Sequence, residues 1–229
     1  MAVQASCSTS KWIDFLRQYG PIPRNDNMYD EVIQRKLQKK KLQPIVFETE
    51  YLDTLLDNFR SASPLSVILT GTAGDGKTYY CRKVWEAFEG STEAWQQDGK
   101  IHRLALNNYQ LVIIKDLSEL TLEEKYELLP QIAAAICGCD TSTVYLIAAN
   151  DGQLVEAWAQ APPTKEIETV RKVIEELLVK DAQKLKDYKA KLYNLSRQNV
   201  GILFPRILNA VLNHPGWGDC NQCSYQEQG

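Results

Sequence analysis

The fold of this chain is decided by Gly71-Thr72-Ala73-Gly74-Asp75-Gly76-Lys77-Thr78, which fits the pattern G-x-x-x-x-G-K-[ST]. This stretch follows directly on the apolar residues 65–70 and leads into residues 78–88, which have a helical period. Glycine adopts positive φ at little cost, so the three glycines let the backbone turn tightly and aim successive N–H groups into one concavity. A strand, such a loop and a helix in this order predict a phosphate-binding loop.

The residues of this loop have separate expected roles. Backbone N–H groups and the positive end of the following helix would face phosphate oxygens. Lys77 would place its ammonium against the β and γ phosphates of a nucleotide, and the Thr78 hydroxyl would bind Mg²⁺. A glycine-rich turn without a ligand is the alternative, but it leaves a lysine at this position unexplained. The predicted nucleotide-binding residues here are Gly71, Thr72, Ala73, Gly74, Asp75, Gly76, Lys77, Thr78 and Tyr79.

Two further apolar runs end in polar side chains that would lie at the same edge of a parallel sheet. Residues 111–114 precede Asp116, whose carboxylate is the expected second protein ligand of Mg²⁺. Glu119 is the candidate general base for an attacking water. Residues 144–149 precede Asn150, whose amide would orient that water, unless Asn150 only forms a turn. The predicted catalytic residues are therefore Lys77, Asp116, Glu119 and Asn150.

The rest of the chain alternates short apolar runs with longer segments of helical period. Further strands are expected at 101–106 and 191–195, and helices at 29–41, 48–59, 122–136 and 165–188. Pro130 predicts a kink or a later start in the third of these helices. The alternation predicts an α/β fold with a parallel sheet between two helical layers. The expected domains are an N-terminal extension at 1–47, a core at 48–197, and a small helical C-terminal lid with a tail at 198–229.

Composition and charge restrict the partners. The 229 residues are 44% hydrophobic and 24% charged, as in an ordinary globular protein. Lys and Arg total 26 against 29 Asp and Glu, so the whole molecule does not attract a polyanion, and any nucleic-acid contact would have to be local. The densest basic cluster lies within residues 35–41. It is either a solvated helix face or a phosphate-contacting patch.

The cysteines and the N-terminus bear on the cellular compartment. Residues 1–10 lack a basic region followed by an apolar stretch, and no run of about 18 apolar residues occurs, which predicts a soluble cytoplasmic protein without a membrane partner. The six cysteines are too scattered for a disulfide scaffold. Cys220 and Cys223 form half of a zinc site, for which His214 could be a third ligand; free thiols, or a longer protein with the remaining ligands, are the alternatives.

Taken in order, these motifs resemble the AAA+ ATPase core over residues 48–212. Residues 71–78 resemble Walker A, residues 112–116 with Glu119 resemble a displaced Walker B, and Asn150 resembles sensor 1. The resemblance implies ATP and Mg²⁺ as ligands, a homo-oligomer or larger complex, and Arg206 as the sensor 2 arginine. The chain departs from the family at 181–191, which contains no arginine finger. The motif wording is also similar to ATPases of bacterial anti-phage systems, such as phosphorothioation-dependent restriction, which implies a nucleic-acid-directed defence role.

The type of nucleotide and the type of activity remain separate questions. The sequence contains no N-K-x-D, the tetrapeptide expected to read guanine, so ATP is favoured over GTP. The expected activity is hydrolysis of the β–γ bond. Two alternatives are a slow-turnover switch that responds to ATP binding, and a small-molecule kinase, for which the single arginine of residues 161–191 is a poor lid.

Overall fold

The computed structural model describes residues 10–19, 30–97, 99–106, 108–184 and 187–222. The chain divides into two compact units. One is Glu50–Gln198; the other, here called the terminal unit, comprises the described residues of 1–49 and 199–229. The phosphate-loop motif lies in the first unit, here called the core unit.

The core unit contains a mostly parallel sheet of five strands. In chain order these are β1 (Ser66–Thr70), β2 (Ile101–Ala105), β3 (Gln110–Ile114), β4 (Thr143–Ala148) and β5 (Ala190–Asn194). Their order across the sheet is β2-β3-β4-β1-β5, and β3, β4, β1 and β5 are parallel. Because β1 lies between β4 and β5, the carboxyl ends of all three meet at the edge that carries the phosphate-loop motif.

The prediction of a parallel sheet is wrong for the outermost strand, β2. β2 runs antiparallel to β3, with Ile101 opposite Ile114 and Ala105 opposite Gln110. Only residues 106–109 separate the two strands, which suffices for a hairpin, whereas a parallel crossover needs a dozen residues or more. The apolar pattern of a strand does not encode its direction, so only the loop length could have revealed this.

Helices cover both faces of the sheet, which confirms the layered α/β prediction. Side chains alternate along β1, so Ile68 packs on one face and Val67 and Leu69 pack on the other. The helices on the Ile68 side are α6 (Leu122–Cys137), α7 (Asp151–Gln160) and α8 (Lys165–Lys180). Those on the opposite side are α3 (Glu50–Arg60), α4 (Lys77–Ala87) and α5 (Thr92–Gln96).

Pro130 does not delay the start of α6, which begins at Leu122 and continues past the proline. An interior proline costs about 3 kcal/mol. Leu129 and Ile132 are buried on either side of it, and burying an aliphatic side chain contributes about 1.5–3 kcal/mol each. Core packing therefore offsets the local cost of the proline.

The predicted helix at 165–188 is too long, because α8 ends at Lys180. Asp181 follows it in the left-handed conformation at φ 52°, and its N–H donates to the carbonyl oxygen of Leu177. The first part of the prediction is confirmed, since Ile167 and Val170 are buried against the sheet. Ala182 and Tyr188, which follow Asp181, pack against the core without continuing the helix.

The terminal unit has its own small apolar core. Trp12 and Phe15 of α1 (Lys11–Leu16) are buried together with Leu37 of α2 (Asp30–Lys40), and the partly buried Val211 of α9 (Val200–Leu212) packs against them. The predicted N-terminal extension and the predicted C-terminal lid thus pack against each other. Among the described residues, no helix has both the length and the apolar character to cross a bilayer.

His214 belongs to this apolar core. Its ring stacks on Trp12 with the centroids 3.7 Å apart. Its Nδ1 accepts the Gly216 N–H at 3.0 Å, so Nε2 carries the proton and donates to the Gln43 carbonyl oxygen at 2.9 Å. His214 therefore has no nitrogen left for zinc. Cys223, the other end of the predicted half-site, lies outside the described residues.

Candidate functional site

The loop between β1 and α4 has the backbone that its glycines predict. Gly71, Gly74 and Gly76 all have positive φ, at 144°, 90° and 87°. Gly76 is the N-cap residue of α4, so no side chain at this position caps the first N–H groups of the helix. A Cβ placed on Gly76 would meet nothing within 4 Å. The helix N-terminus thus opens onto a space that suits an anion.

Lys77 crosses the base of this loop. Its side chain is buried, with the residue only 8% exposed. Its Nζ donates to the carbonyl oxygens of Gly71 at 2.9 Å and Thr72 at 2.8 Å, and to Oδ1 of Asn150 at 2.8 Å. An ammonium has three N–H donors, and all three are used here. A phosphate oxygen that binds Lys77 must therefore replace one of these acceptors.

Carboxylates surround this ammonium. Burial lowers the pKa of Lys77 below 10.5, and the charges of Asp116, Asp75 and Asp151 oppose that shift, Asp116 most strongly. Asp116 follows β3, Asp151 follows β4, and Asp75 belongs to the loop itself. The topology has therefore gathered acidic groups from three neighbouring strand ends around one lysine.

Asp116 is held with one oxygen directed into the protein. Its Oδ1 accepts the Ser118 N–H at 2.8 Å and the Ser118 hydroxyl at 2.7 Å, which caps the short 3₁₀ turn Leu117–Glu119. Among the described residues both hydrogen bonds to this carboxylate go to Oδ1, so Oδ2 is the oxygen that could bind a cation. Glu119 ends the same turn and is exposed to solvent.

The sequence missed two residues of this edge, Asn194 and Ser196. Asp75 Oδ2 accepts the Thr72 N–H at 2.6 Å and the Ser196 hydroxyl at 2.5 Å. Asn194 accepts the Ser196 N–H at 3.1 Å and donates to Asp151 Oδ2 at 3.4 Å. These contacts tie the end of β5 to both the loop and α7. The rule that selected Asp116 and Asn150, polar residues after an apolar strand, would have found Ser196 had it been applied to the predicted strand at 191–195, but not Asn194, which lies within that strand.

The link between Asp75 and Ser196 can be tested without assuming any function. We expect a double-mutant cycle with Asp75→Asn and Ser196→Ala to give a coupling of about 0.5–1.5 kcal/mol in the free energy of unfolding, measured with urea. Ser61→Ala is the matched control, because Ser61 also donates one hydrogen bond, to Asn58 O at 2.8 Å, but not to Asp75. Additive effects of Asp75→Asn and Ser196→Ala would show that the two side chains are not coupled.

Comparison with known proteins adds no family assignment. No protein-family model, no curated protein and no solved structure matches this chain. The chemistry of the site therefore has to be argued from its own geometry.

The structure brings most of the predicted residues to one edge of the core unit. Lys77 contacts Asn150 directly and feels the charge of Asp116, and Thr78 follows in the first turn of α4. Tyr79 lies along α4, with the guanidinium of Arg82 5.5 Å from its ring centroid. Arg206 belongs to the terminal unit, where its Nη1 donates to the Glu48 carbonyl oxygen at 3.3 Å.

A divalent cation at this edge would need ligands from a nucleotide as well. No group of three or more His, Cys, Asp or Glu side chains that could hold a metal ion occurs in the part of the chain that the structure describes. Mg²⁺ bound with a nucleotide keeps several waters and takes one or two protein ligands besides phosphate oxygens. Asp116 and Thr78 are the residues that fit this requirement.

Proposed function

We propose that this chain is a Mg²⁺-dependent ATPase module that binds ATP at residues 71–78 and hydrolyses the β–γ bond. One observation carries the proposal: three glycines at positive φ lead into an uncapped helix N-terminus, with the buried ammonium of Lys77 at its base. A surface turn needs neither the buried lysine nor the carboxylates gathered around it. A triphosphate with a divalent cation uses both.

Binding would rearrange the hydrogen bonds of Lys77. Gly71 O and Thr72 O belong to the loop itself, whereas Asn150 Oδ1 comes from the end of β4. The bond to Asn150 is therefore the one that a phosphate oxygen would replace with the least change in the loop. When a phosphate oxygen replaces Asn150 Oδ1 as the acceptor from Lys77, the Asn150 amide is free to hold a water near the terminal phosphate.

The acidic side of the site would hold the metal and the water. Bound Mg²⁺ neutralises developing charge on the phosphate oxygens. Asp116 Oδ2 and the Thr78 hydroxyl are the protein ligands that we assign to it. Glu119 is the proposed general base, and its position three residues after Asp116, on the same short turn, supports this role.

The sequence resemblance supports extending the proposal to an AAA+-like module. Under it, Asn150 acts as sensor 1 and Arg206 as sensor 2, and the module works in the cytoplasm within a homo-oligomer or a larger defence complex. The absence of N-K-x-D supports adenine as the base.

A slow-turnover switch that responds to ATP is the second candidate function. Two observations favour it: Glu119 is exposed, and the three donors of Lys77 are already engaged within the protein. Steady-state phosphate release from Mg·ATP separates the two candidates. Sustained release that requires Lys77 and Asp116 supports the ATPase. Negligible release, together with a change in molecular mass between the ATP-bound and ADP-bound forms, supports the switch.

A further inference from the structure

Two helices of the core unit begin without a side-chain cap, and both begin beside the ammonium of Lys77. Among the core-unit helices whose N-cap residue the structure describes, side chains cap α5, α6 and α8. The other two are α4, whose N-cap is Gly76, and α7, whose N-cap is Asn150. Gly76 has no side chain to offer. The missing cap at Asn150 needs another explanation, because asparagine is among the best N-cap residues.

The backbone of Asn150 already has the conformation of a capping residue. Its φ of −80° and ψ of 148° are extended, as is usual at an N-cap, and its carbonyl oxygen accepts the Leu154 N–H at 2.8 Å. The side chain points elsewhere, since Oδ1 accepts from Lys77 Nζ at 2.8 Å and makes no cap bond to α7. Rotation of this side chain alone would therefore suffice to cap the helix.

The start of α9 indicates which N–H of α7 the Asn150 side chain would reach. Asn199 is the N-cap of α9, and its Oδ1 accepts the N–H of Gly201, two residues further on, at 3.0 Å. Asn150 is likewise followed two residues later by a glycine, Gly152. The Gly152 N–H is thus the expected donor to Asn150 Oδ1.

We propose that Asn150 is a two-position switch. Its Oδ1 accepts from Lys77 when no phosphate is bound, and it caps α7 through the Gly152 N–H once a phosphate oxygen has replaced it at Lys77. The inference rests on the proposed binding of phosphate at Lys77, but not on hydrolysis. The ammonium keeps its acceptors in both states, and the phosphate-bound state satisfies one more helix N–H. The new cap therefore offsets the loss of the bond between Lys77 and Asn150.

The capped state also fixes the direction of the remaining part of the Asn150 amide. An asparagine side chain has one acceptor oxygen and an NH₂ group with two donors. With Oδ1 held by the Gly152 N–H, Nδ2 is left to donate to a water beside the terminal phosphate. Asn150 thus reaches its proposed position for hydrolysis only after phosphate has bound.

Amide hydrogen exchange, measured by NMR, tests the switch at a single residue. In the wild-type chain, inorganic tripolyphosphate with Mg²⁺ should slow exchange of the Gly152 amide about 5-fold, the factor expected for one N-cap bond. Asn150→Ala should abolish this slowing. Gly201 is the matched control, because Asn199 already caps it, and its exchange should change by less than about 2-fold.

Lys77→Met tests the same switch without any ligand. This variant removes the ammonium but keeps an unbranched side chain to fill the base of the loop. Asn150 then loses its bond to Lys77 and becomes available to α7, so the Gly152 amide should exchange about 5-fold more slowly than in wild type. The double variant Lys77→Met with Asn150→Ala should not show this slowing.

The outcomes separate the switch from the proposed function. Binding of tripolyphosphate is detected independently, through the amide signals of Gly74 and Gly76. Bound tripolyphosphate with unchanged Gly152 exchange would overturn the switch and leave the phosphate site intact. Slowing that persists in Asn150→Ala would also overturn it, because the cap would not be the cause. No binding of tripolyphosphate would overturn the proposed function, and with it the phosphate trigger of the switch.

Discussion

Lys77→Ala should lower kcat/KM for Mg·ATP hydrolysis by about 100- to 1,000-fold, the range seen when one preorganised donor to a developing oxyanion is removed. The ammonium is buried, so water does not screen its charge as it would at the surface. The variant also removes the bonds from Lys77 to Gly71, Thr72 and Asn150 that organise the loop. Phosphate release at several ATP concentrations measures the effect.

Lys83→Ala is the matched control for this prediction. Lys83 lies on the same helix, is half-buried, and pairs with Glu86 rather than with the loop. Its loss should leave phosphate release within about 2-fold of wild type, as for most surface substitutions. Equal rates for wild type and Lys77→Ala would exclude hydrolysis at this loop.

Asp116→Asn should lower kcat by about 100-fold or more at saturating Mg²⁺ while preserving nucleotide binding without metal. The amide keeps an oxygen to accept both bonds from Ser118, so the turn should stay folded. It loses the charge that a hard cation prefers. It also removes the strongest electrostatic effect that raises the pKa of Lys77, so that pKa should fall further. Phosphate release as a function of Mg²⁺ concentration measures the loss.

Asp140→Asn is an unusually close control. Asp140 Oδ1 accepts the Ser142 N–H at 2.8 Å and the Ser142 hydroxyl at 2.7 Å, the same two bonds at the same distances as in the Asp116 turn. Asp140 precedes β4, however, and so lies at the opposite edge of the sheet from Lys77. We expect normal hydrolysis in this variant. A comparable loss of hydrolysis in both variants would show that weakening a turn of this kind, and not the loss of a metal ligand, lowers the rate.

Local rules predicted the central part of the site. The positive φ of Gly71, Gly74 and Gly76 follows from a tight turn between a strand and a helix. The proximity of Asn150 to Lys77 follows from the rule that parallel strands end at a common edge. Both inferences need only the sequence of each element and the parallel pairing of β1 with β4.

The features that were not predicted from the sequence depend on which distant segments of the chain become neighbours. Ser196 meets Asp75 because β5 pairs with β1. The local pattern can mark Ser196 as a residue at a strand end, but it does not show that its partner is Asp75, 121 positions away. Lys11 joins the lysines of α2 through packing in the terminal unit. The direction of β2 depended on a short connection rather than on its apolar residues.

Calorimetric titration of the full chain with Mg·ATP tests the central claim most directly. The phosphate loop should give one binding site with Kd below about 1 mM, within the usual range for enzyme substrates. Inorganic tripolyphosphate should compete for this site and adenosine should not, because the backbone N–H groups and Lys77 contact phosphate. The absence of heat at millimolar Mg·ATP, or undiminished binding by Lys77→Ala, would contradict the account.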